Sequence, residues 1–282
     1  MIFITVLIPA FNRPELLRLA LQSIDKQTAK AAIRRVIVSE NGLNADSKLV
    51  CDEFTDLPIE YVFQQPQLPV LAHLKWLMSQ EQQGYVALLC DDDWWNPYHL
   101  EIAIRSLEQH PTCVAYFSNF IYADSEVGLN SQLYHGLKGL HIGQSDFSNA
   151  ALNKYNQQNI LVLTTLITPF HFSAMVCEGS ILSKAVEIFD SIHPTYADRI
   201  LWAVLSSYGE LLFNPLHTSV VLLHEEMDSR RYSSIEWKEK AQEGSLRIID
   251  LAETQGYAIK EAINLAYEVA SAKDAEFMRE AY

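Results

Sequence analysis

The sequence predicts an α/β fold with a doubly wound, mostly parallel sheet, and three observations carry that prediction. Apolar runs of strand length alternate with helical stretches from Ile2 to Gln109, the order that βαβ units produce. Those runs are continuously apolar rather than alternating, as strands covered on both faces are. One of them, Tyr85-Val-Ala-Leu-Leu-Cys90, stops abruptly at Asp91, Asp92 and Asp93. In open α/β sheets ligands bind at the carboxyl edge of the strands, and three like charges there are costly without a cation or donors to offset them. A divalent metal carrying a diphosphate meets that need. Asp91 and Asp93, two apart on an extended chain, point to the same side roughly 7 Å apart.

The elements follow in order. Strand Ile2 to Ile8 leads into a helix opening near Pro14, where proline is tolerated in the first turn, with Leu16, Leu17, Ala20, Leu21 and Ile24 on one face. Strand Arg35 to Ser39, helix Ala45 to Phe54, strand Ile59 to Gln64, helix Val70 to Gln80, the Tyr85 strand and helix Tyr98 to Gln109 continue the alternation. After strand Cys113 to Tyr122 the pattern loosens. Asp124 to Asn159 reads as a polar insertion over the pocket, with one helix around Phe147 to Tyr155. Strand Ser173 to Cys177, helices Ile181 to Phe189 and Ala197 to Ser207, and strands Leu211 to Phe213 and Ser219 to Leu223 come next. From Ser234 onward Leu246, Ile249, Leu251, Ile259, Ala262, Ile263, Ala266 and Val269 recur at helical spacing. A helical pair with such a stripe has to pack on the rest of the chain or on a second copy, giving a homo-oligomer.

Composition narrows the partners. The net charge is −14, with 21 Lys+Arg against 35 Asp+Glu, so binding to a nucleic-acid backbone is excluded as a guess. Cys51, Cys90, Cys113 and Cys177 form no CxxC pair, which fits reduced thiols and a cytoplasmic protein. Met1-Ile-Phe-Ile-Thr-Val-Leu-Ile8 has no basic flank and stops at Pro9, so it reads as a first strand rather than a signal peptide. No apolar run reaches transmembrane length, the nearest, Ile160 to Ile167, being broken by threonines. Attachment to the inner face of a membrane is left as the alternative to a freely cytoplasmic protein.

Five stretches in a fixed order resemble a family. Val6-Leu-Ile-Pro-Ala-Phe-Asn-Arg-Pro14, Val38-Ser-Glu-Asn-Gly42, Leu89-Cys-Asp-Asp-Asp93, Asp198 opening a helix, and Asn214-Pro-Leu216 with Leu223-His224 are similar to the motifs of family 2 glycosyltransferases of the GT-A fold. The resemblance covers Met1 to Tyr232. It implies a GT-A domain over 1–232, with a nucleotide-binding half (1–122) and an acceptor-side half (123–232), followed by a helical segment over 233–282.

The resemblance also implies roles. Pro9, Ala10 and Phe11 line the nucleotide pocket, and Glu40 stands where relatives have an aspartate accepting the N3–H of uracil, although its longer side chain leaves other bases open. Asp93 matches the metal ligand of the DxD motif, Asp91 the residue facing the ribose or a metal water, and Asp92 a neighbour that orients them. Hard carboxylate oxygens at a diphosphate suit Mn²⁺ or Mg²⁺. His224 matches a histidine that completes the metal shell, and Arg230 and Arg231 match a loop closing over the donor, where guanidiniums neutralise the departing diphosphate. Asp198 matches the general base, with Ala197 in place of the first acid of the usual pair; it also reads as part of a capping box with Thr195. Trp94, Trp95, His171 and Trp202 are candidates for an acceptor platform, since aromatic faces pack on sugar C–H surfaces.

The expected function is therefore metal-dependent, inverting transfer of a sugar from a nucleoside diphosphate-sugar, UDP first among them, to a hydroxyl of a glycan or glycolipid acceptor. Two rivals stand beside it. A nucleotidyltransferase would need a glycine-rich loop after the first strand, which Pro9 to Arg13 lacks. A catalytically silent glycan-binding module of the same fold would need none of the acids.

Overall fold

The structure is a computed structural model that describes residues 2–124, 152–224 and 233–264. Strands β1 (Ile4–Ala10), β2 (Ile33–Glu40), β3 (Ile59–Phe63) and β4 (Tyr85–Leu88) form a parallel block in the order β3-β2-β1-β4. Alternate residues of β1 serve two cores. Val6 and Ile8 pack with Leu17, Leu21 and Ile24 of helix α1 (Pro14–Asp25), while Leu7 packs on the other face with Leu71 and Leu77 of α3 (Val70–Met78). This is the doubly wound arrangement, and it explains why the strands read as unbroken apolar runs. Helix α2 (Ser47–Cys51) and helix α4 (His99–Gln109) complete the first half. The α2 helix is shorter than the expected Ala45 to Phe54, since Leu49 on its outer side is exposed and only Val50 and Cys51 join the core.

Beyond β4 the sheet becomes mixed. The order continues β4-β8-β6-β9-β5, where β5 is Trp94–Trp95, β6 is Cys113–Asp124, β8 is Met175–Glu178 and β9 is Glu210–Leu223; β7 (Asn153–Tyr155) also pairs with β9. Strand β8 runs antiparallel to both β4 and β6, while β6 and β9 run parallel over nearly their whole length. The two separate strands expected at 211–213 and 219–223 are one strand. Its register shifts where Ser118 and Asn119 of β6 meet Asn214 and His217 of β9, so the segment with Pro215, which has no N–H to give, lies in an irregularity of the ladder. The helix expected around Phe147 to Tyr155 is a correction: Asn153 to Tyr155 is strand β7, and 147–151 lie outside the described residues.

Helix α5 (Gln157–Leu166), absent from the expectations, begins at Asn156, whose side chain accepts the Asn159 N–H. Helices α6 (Gly179–Ala185) and α7 (Ala197–Leu205) follow, and the first of these gives way to a 3₁₀ turn over Val186–Ser191. The tail folds as α8 (Ser234–Thr254), opened by a capping box between Ser233 and Glu236. Its apolar stripe packs on the same chain. Ile248 and Ala252 share a cluster with Leu161 of α5 and Tyr196, Ile200 and Ala203 at α7. Gly244 is needed at that seam, because a Cβ there would lie 2.7 Å from the Tyr196 side chain. Among the described residues no helix is long and apolar enough to cross a membrane, and the four cysteines are free.

Candidate active site

The carboxyl ends of β1 and β4 open into a cavity of about 380 Å³. Pro9, Ala10, Phe11 and Arg13 border it from the first strand, the three aspartates from the fourth, and Asp198 from the start of α7. Thus the sequence-expected pocket residues of β1, the acid run and the expected base all meet at one space.

The loop after β1 is built by cross-bracing. Asn12 adopts a left-handed φ of 53°, which asparagine tolerates better than most residues, and its Oδ1 accepts the Leu43 N–H at 2.8 Å. Glu40 answers from β2: Oε1 accepts the Asn12 N–H at 3.0 Å and Oε2 accepts the Ser47 hydroxyl. A Cβ at Gly42 would lie 2.2 Å from Asn12 and 2.4 Å from Glu40, so the loop closes only over a glycine. Glu40 is fully buried behind the cavity wall, and its neighbour Asn41 borders the cavity instead. This corrects the reading of Glu40 as the base-reading carboxylate: both its oxygens brace the loop. Asn41 in turn holds the other lip, with its side-chain amide bonded to both the N–H and the carbonyl of Leu68.

The acid run is clamped by donors from four directions. The Arg13 guanidinium spans Asp91 with Nε at 3.2 Å and a second contact from Nη2, and reaches Asp92 with Nη1 at 2.6 Å. The Phe11 N–H adds a bond to Asp91 at 2.9 Å. His224 Nε2 lies 2.9 Å from Asp92 and 3.3 Å from Arg13 Nη1. Asp93 turns the other way, accepting the Ser173 hydroxyl and, at 3.1 Å, the Leu222 N–H of β9. The charges are unevenly relieved. Burial pushes Asp91 up to about 7 although Arg13 pulls it down, and burial together with Asp92 holds Asp93 well above the usual carboxylate range. Burial also opposes ionisation of Asp92, but the His224 bond and Arg13 outweigh it and leave its carboxyl lower than usual. Arg13 loses solvation by burial yet is held more firmly protonated by Asp91 and Asp92.

One guanidinium stands against three adjacent carboxyls, two of them buried, and the upward shifts of Asp91 and Asp93 mark a cluster short of positive charge; this is the observation on which a cation can be judged. Cys90 Sγ and carboxylate oxygens of Asp92 and Asp93 lie within 4.8 Å of one another, with His224 beside Asp92. The Asp92 and Asp93 oxygens fit a hard divalent ion such as Mn²⁺ or Mg²⁺, while burial pushes the Cys90 thiol up and disfavours it as a thiolate ligand.

Asp198 borders the same cavity from the start of α7. Its carboxyl accepts the backbone N–H of Arg199 at 2.7 Å, and burial raises it to about 6. The expected capping box with Thr195 does not form; Tyr196 occupies the cap position with no side-chain bond, and Thr195 bonds His193 instead. Arg199 is buried and fans out to the Thr164 and Thr165 carbonyls, the Ala241 carbonyl and the Ser245 hydroxyl, so the residue next to Asp198 ties α7 to both α5 and α8.

The expected aromatic platform is corrected in part. Trp202 is fully buried among Phe117, Phe170 and Phe172. Trp95 is buried too, stacked on His99 with its indole N–H on the Ser173 carbonyl. Trp94 pairs with Val220 across β5 and β9 and packs against the Ile121 and Leu222 cluster. His171 does border the cavity, 3.6 Å from Asp93; burial lowers it to about 4, and its Nδ1 accepts the Ser173 N–H. Arg230 and Arg231 lie outside the described residues.

The structure adds residues that the sequence did not single out: Arg13, Ser173, Phe172 and Trp237, the last a half-exposed side chain of α8 at the cavity. His73 borders it as well, bonded to Ser39 at 2.8 Å and lowered to about 4 by burial. Only Arg13 carried a signal that could have been used, a basic residue at the end of the first strand facing an acid run at the end of the fourth.

The layout is a parallel α/β block with acids at its carboxyl edge and a further carboxylate from α7 at the same cavity. The chain matches the family model for glycosyl transferase family 2 over residues 5–178, and it belongs to that family. Its fold is the GT-A fold. Among solved structures it is similar to S. aureus TarS 1–349 in complex with UDP-GlcNAc (TM-score 0.61, 12% identity, 82% of this chain and 61% of that one). The same protein in complex with UDP gives 0.58 at 11% identity over 92% and 75%, and the longer TarS chain gives 0.57 at 12% over 79% and 37%. The chain therefore spans little more than a third of the longest of these relatives. No curated protein matches the sequence.

Proposed function

We propose that the protein is an inverting glycosyltransferase that takes a sugar from a nucleoside diphosphate-sugar, UDP-linked, and passes it to a hydroxyl of a glycan or glycolipid with the help of Mn²⁺ or Mg²⁺. The observation that carries this reading is one cavity bordered both by an acid cluster short of positive charge and by a separate carboxylate that burial raises to about 6. TarS, similar in fold, is recorded with UDP-GlcNAc and with UDP.

The residues divide the work. Pro9, Ala10, Phe11 and the Asn41–Leu68 lip cradle the nucleotide, a task for closely spaced backbone and apolar surface. Asp92 and Asp93, with His224, are the residues that would hold the divalent ion, which supplies positive charge to the diphosphate when bound. Asp198 takes the proton from the acceptor hydroxyl as that oxygen attacks the anomeric carbon opposite the leaving group, and a single displacement inverts the centre. A pKa near 6 leaves Asp198 ionised at neutral pH yet basic enough to accept the proton. Arg230 and Arg231 remain proposed closing residues for the leaving diphosphate.

The test is release of nucleoside diphosphate from a panel of UDP- and GDP-sugars with Mn²⁺ and with chelator. Turnover of a UDP-sugar that chelator abolishes supports the reading. Equal turnover with chelator removes the metal from it, and no turnover of any donor with bound but unhydrolysed nucleotide favours the silent module.

A further inference from the structure

Arg13 is placed where the proposed cation would act. Its guanidinium contacts Asp91 twice and Asp92 once, approaches His224, and keeps 18% of its side-chain surface open toward the cavity. The same Asp92 oxygen that accepts from Arg13 is the one beside His224. A divalent ion bound through Asp92 would therefore share one carboxylate with a guanidinium, and two cations on one carboxylate repel. The arginine sits at the cap of α1, on a side chain long enough to change partners without moving the strand. What it gives up at Asp92 it can recover only from another anion in the same cavity, and a nucleoside diphosphate is the anion that such a cavity in a glycosyltransferase admits.

We infer that Arg13 is a positioning residue that exchanges partners during donor binding: it holds the acid run together before the donor arrives, yields Asp92 to the metal, and pairs with the diphosphate thereafter. This rests on the donor and metal reading above, and it makes a prediction of opposite sign for two ligands. Removing the guanidinium strengthens binding of the metal alone, because the acids lose their internal counter-ion. It weakens binding of the nucleoside diphosphate, because the phosphates lose a partner. A residue that only supports the fold would weaken both or neither.

The experiment is calorimetric titration of wild-type protein, Arg13→Met and Arg13→Lys with MnCl₂ alone, then with UDP at saturating Mn²⁺, then with uridine. The expected result for Arg13→Met is Mn²⁺ affinity raised about tenfold, UDP affinity lowered about tenfold and uridine affinity unchanged, shifts typical of losing one charge-assisted contact. Arg13→Lys, which keeps the charge without the fork, falls between and stands in for Arg13→Met if that variant does not fold. Mn²⁺ affinity unchanged or reduced in a folded variant overturns the inference, as does unchanged UDP affinity. If neither wild type nor variant binds Mn²⁺, the inference and the metal assignment fall together. If Mn²⁺ binding shows the expected gain while UDP binds nowhere, it is the donor reading that fails and the exchange of Asp92 that stands.

Discussion

The carboxylates on the two sides of the cavity are held in opposite ways. On the strand side Asp91, Asp92 and Asp93 are each fixed by donors from other elements: Arg13, the Phe11 N–H, His224, Ser173 and the Leu222 N–H. On the helix side Asp198 accepts a bond from its own neighbour, Arg199, and the bracing of that region is carried by the Arg199 guanidinium instead. The difference separates two chemical jobs. A cluster meant to bind a cation needs fixed oxygens, and fixing them costs little once every lone pair has a partner. A base has to keep an oxygen available for an incoming proton, so its position is secured through the backbone around it.

The largest test of this contrast is Asp198→Asn. Asparagine preserves size and still accepts the Arg199 N–H, but it cannot take a proton, so transfer should fall roughly 10²-fold or more with UDP affinity unchanged. Wild-type transfer should itself decline as pH falls through about 6, where Asp198 protonates. Stability moves the other way. Because the folded-state pKa is raised, the folded chain binds a proton that the unfolded chain has released, and the contribution of Asp198 falls as pH rises from the ordinary carboxylate range to about 6. The asparagine variant should therefore melt no lower than wild type at pH 8. Near-normal transfer, or a clear drop in melting temperature at that pH, would return Asp198 to a structural role.

The strand side should respond in stability as well as in binding. Asp93→Ala leaves the buried Ser173 hydroxyl and the Leu222 N–H without their acceptor, at a cost of about 1–3 kcal/mol. Asp93→Asn keeps an acceptor oxygen there and should cost less. Both should lose Mn²⁺ binding. A metal affinity unaltered in Asp93→Asn would take Asp93 out of the cation site while leaving its bracing role untouched.

The helix side has its own mechanical weak point. Gly244→Ala puts a methyl 2.7 Å from the Tyr196 ring, two residues from Asp198, and a small-to-large change in a packed seam costs typically 1–3 kcal/mol. A lower melting temperature together with a loss of transfer that exceeds any loss of UDP affinity is expected. A variant as stable as wild type would show that α8 is not seated on α7 in solution as described.

How much of this was readable from residues follows the same division. In the parallel block each strand is covered on both faces and each helix lies on one, so the periodicity of the chain reports its surroundings, and β1 to β4 with α1, α3 and α4 fall close to their expected bounds. In the mixed part the pairing is long-range. Helix α5 was hidden because Ile160 packs toward the sheet cluster and Leu161 toward α8, so the helix is apolar on more than one side and shows no single stripe. The acid run and Asp198 announced themselves by type and order. The tryptophans did not, because nothing in Trp94-Trp95 or in the α7 sequence states which way an indole turns, and Trp95 and Trp202 turn inward.

Glu40 shows the same limit most clearly, and the last prediction concerns it. A carboxylate at the end of the second strand reads identically whether it faces a nucleobase or braces a loop. The geometry favours bracing: Oε1 holds the Asn12 N–H, Oε2 holds Ser47, and the residue has no open surface. Glu40→Gln keeps one acceptor oxygen and loses the other, so the unfolding free energy should fall by about 1 kcal/mol, the worth of one hydrogen bond. UDP affinity should stay within about twofold, because the side chain does not reach the cavity, whereas loss of a buried polar contact to the base would cost tenfold or more. Parallel measurement of melting temperature and of UDP against UMP and CMP binding distinguishes the two. Discrimination between uracil and cytosine that collapses in a variant of native stability would put Glu40 back on the base and require the loop after β1 to open when the donor binds.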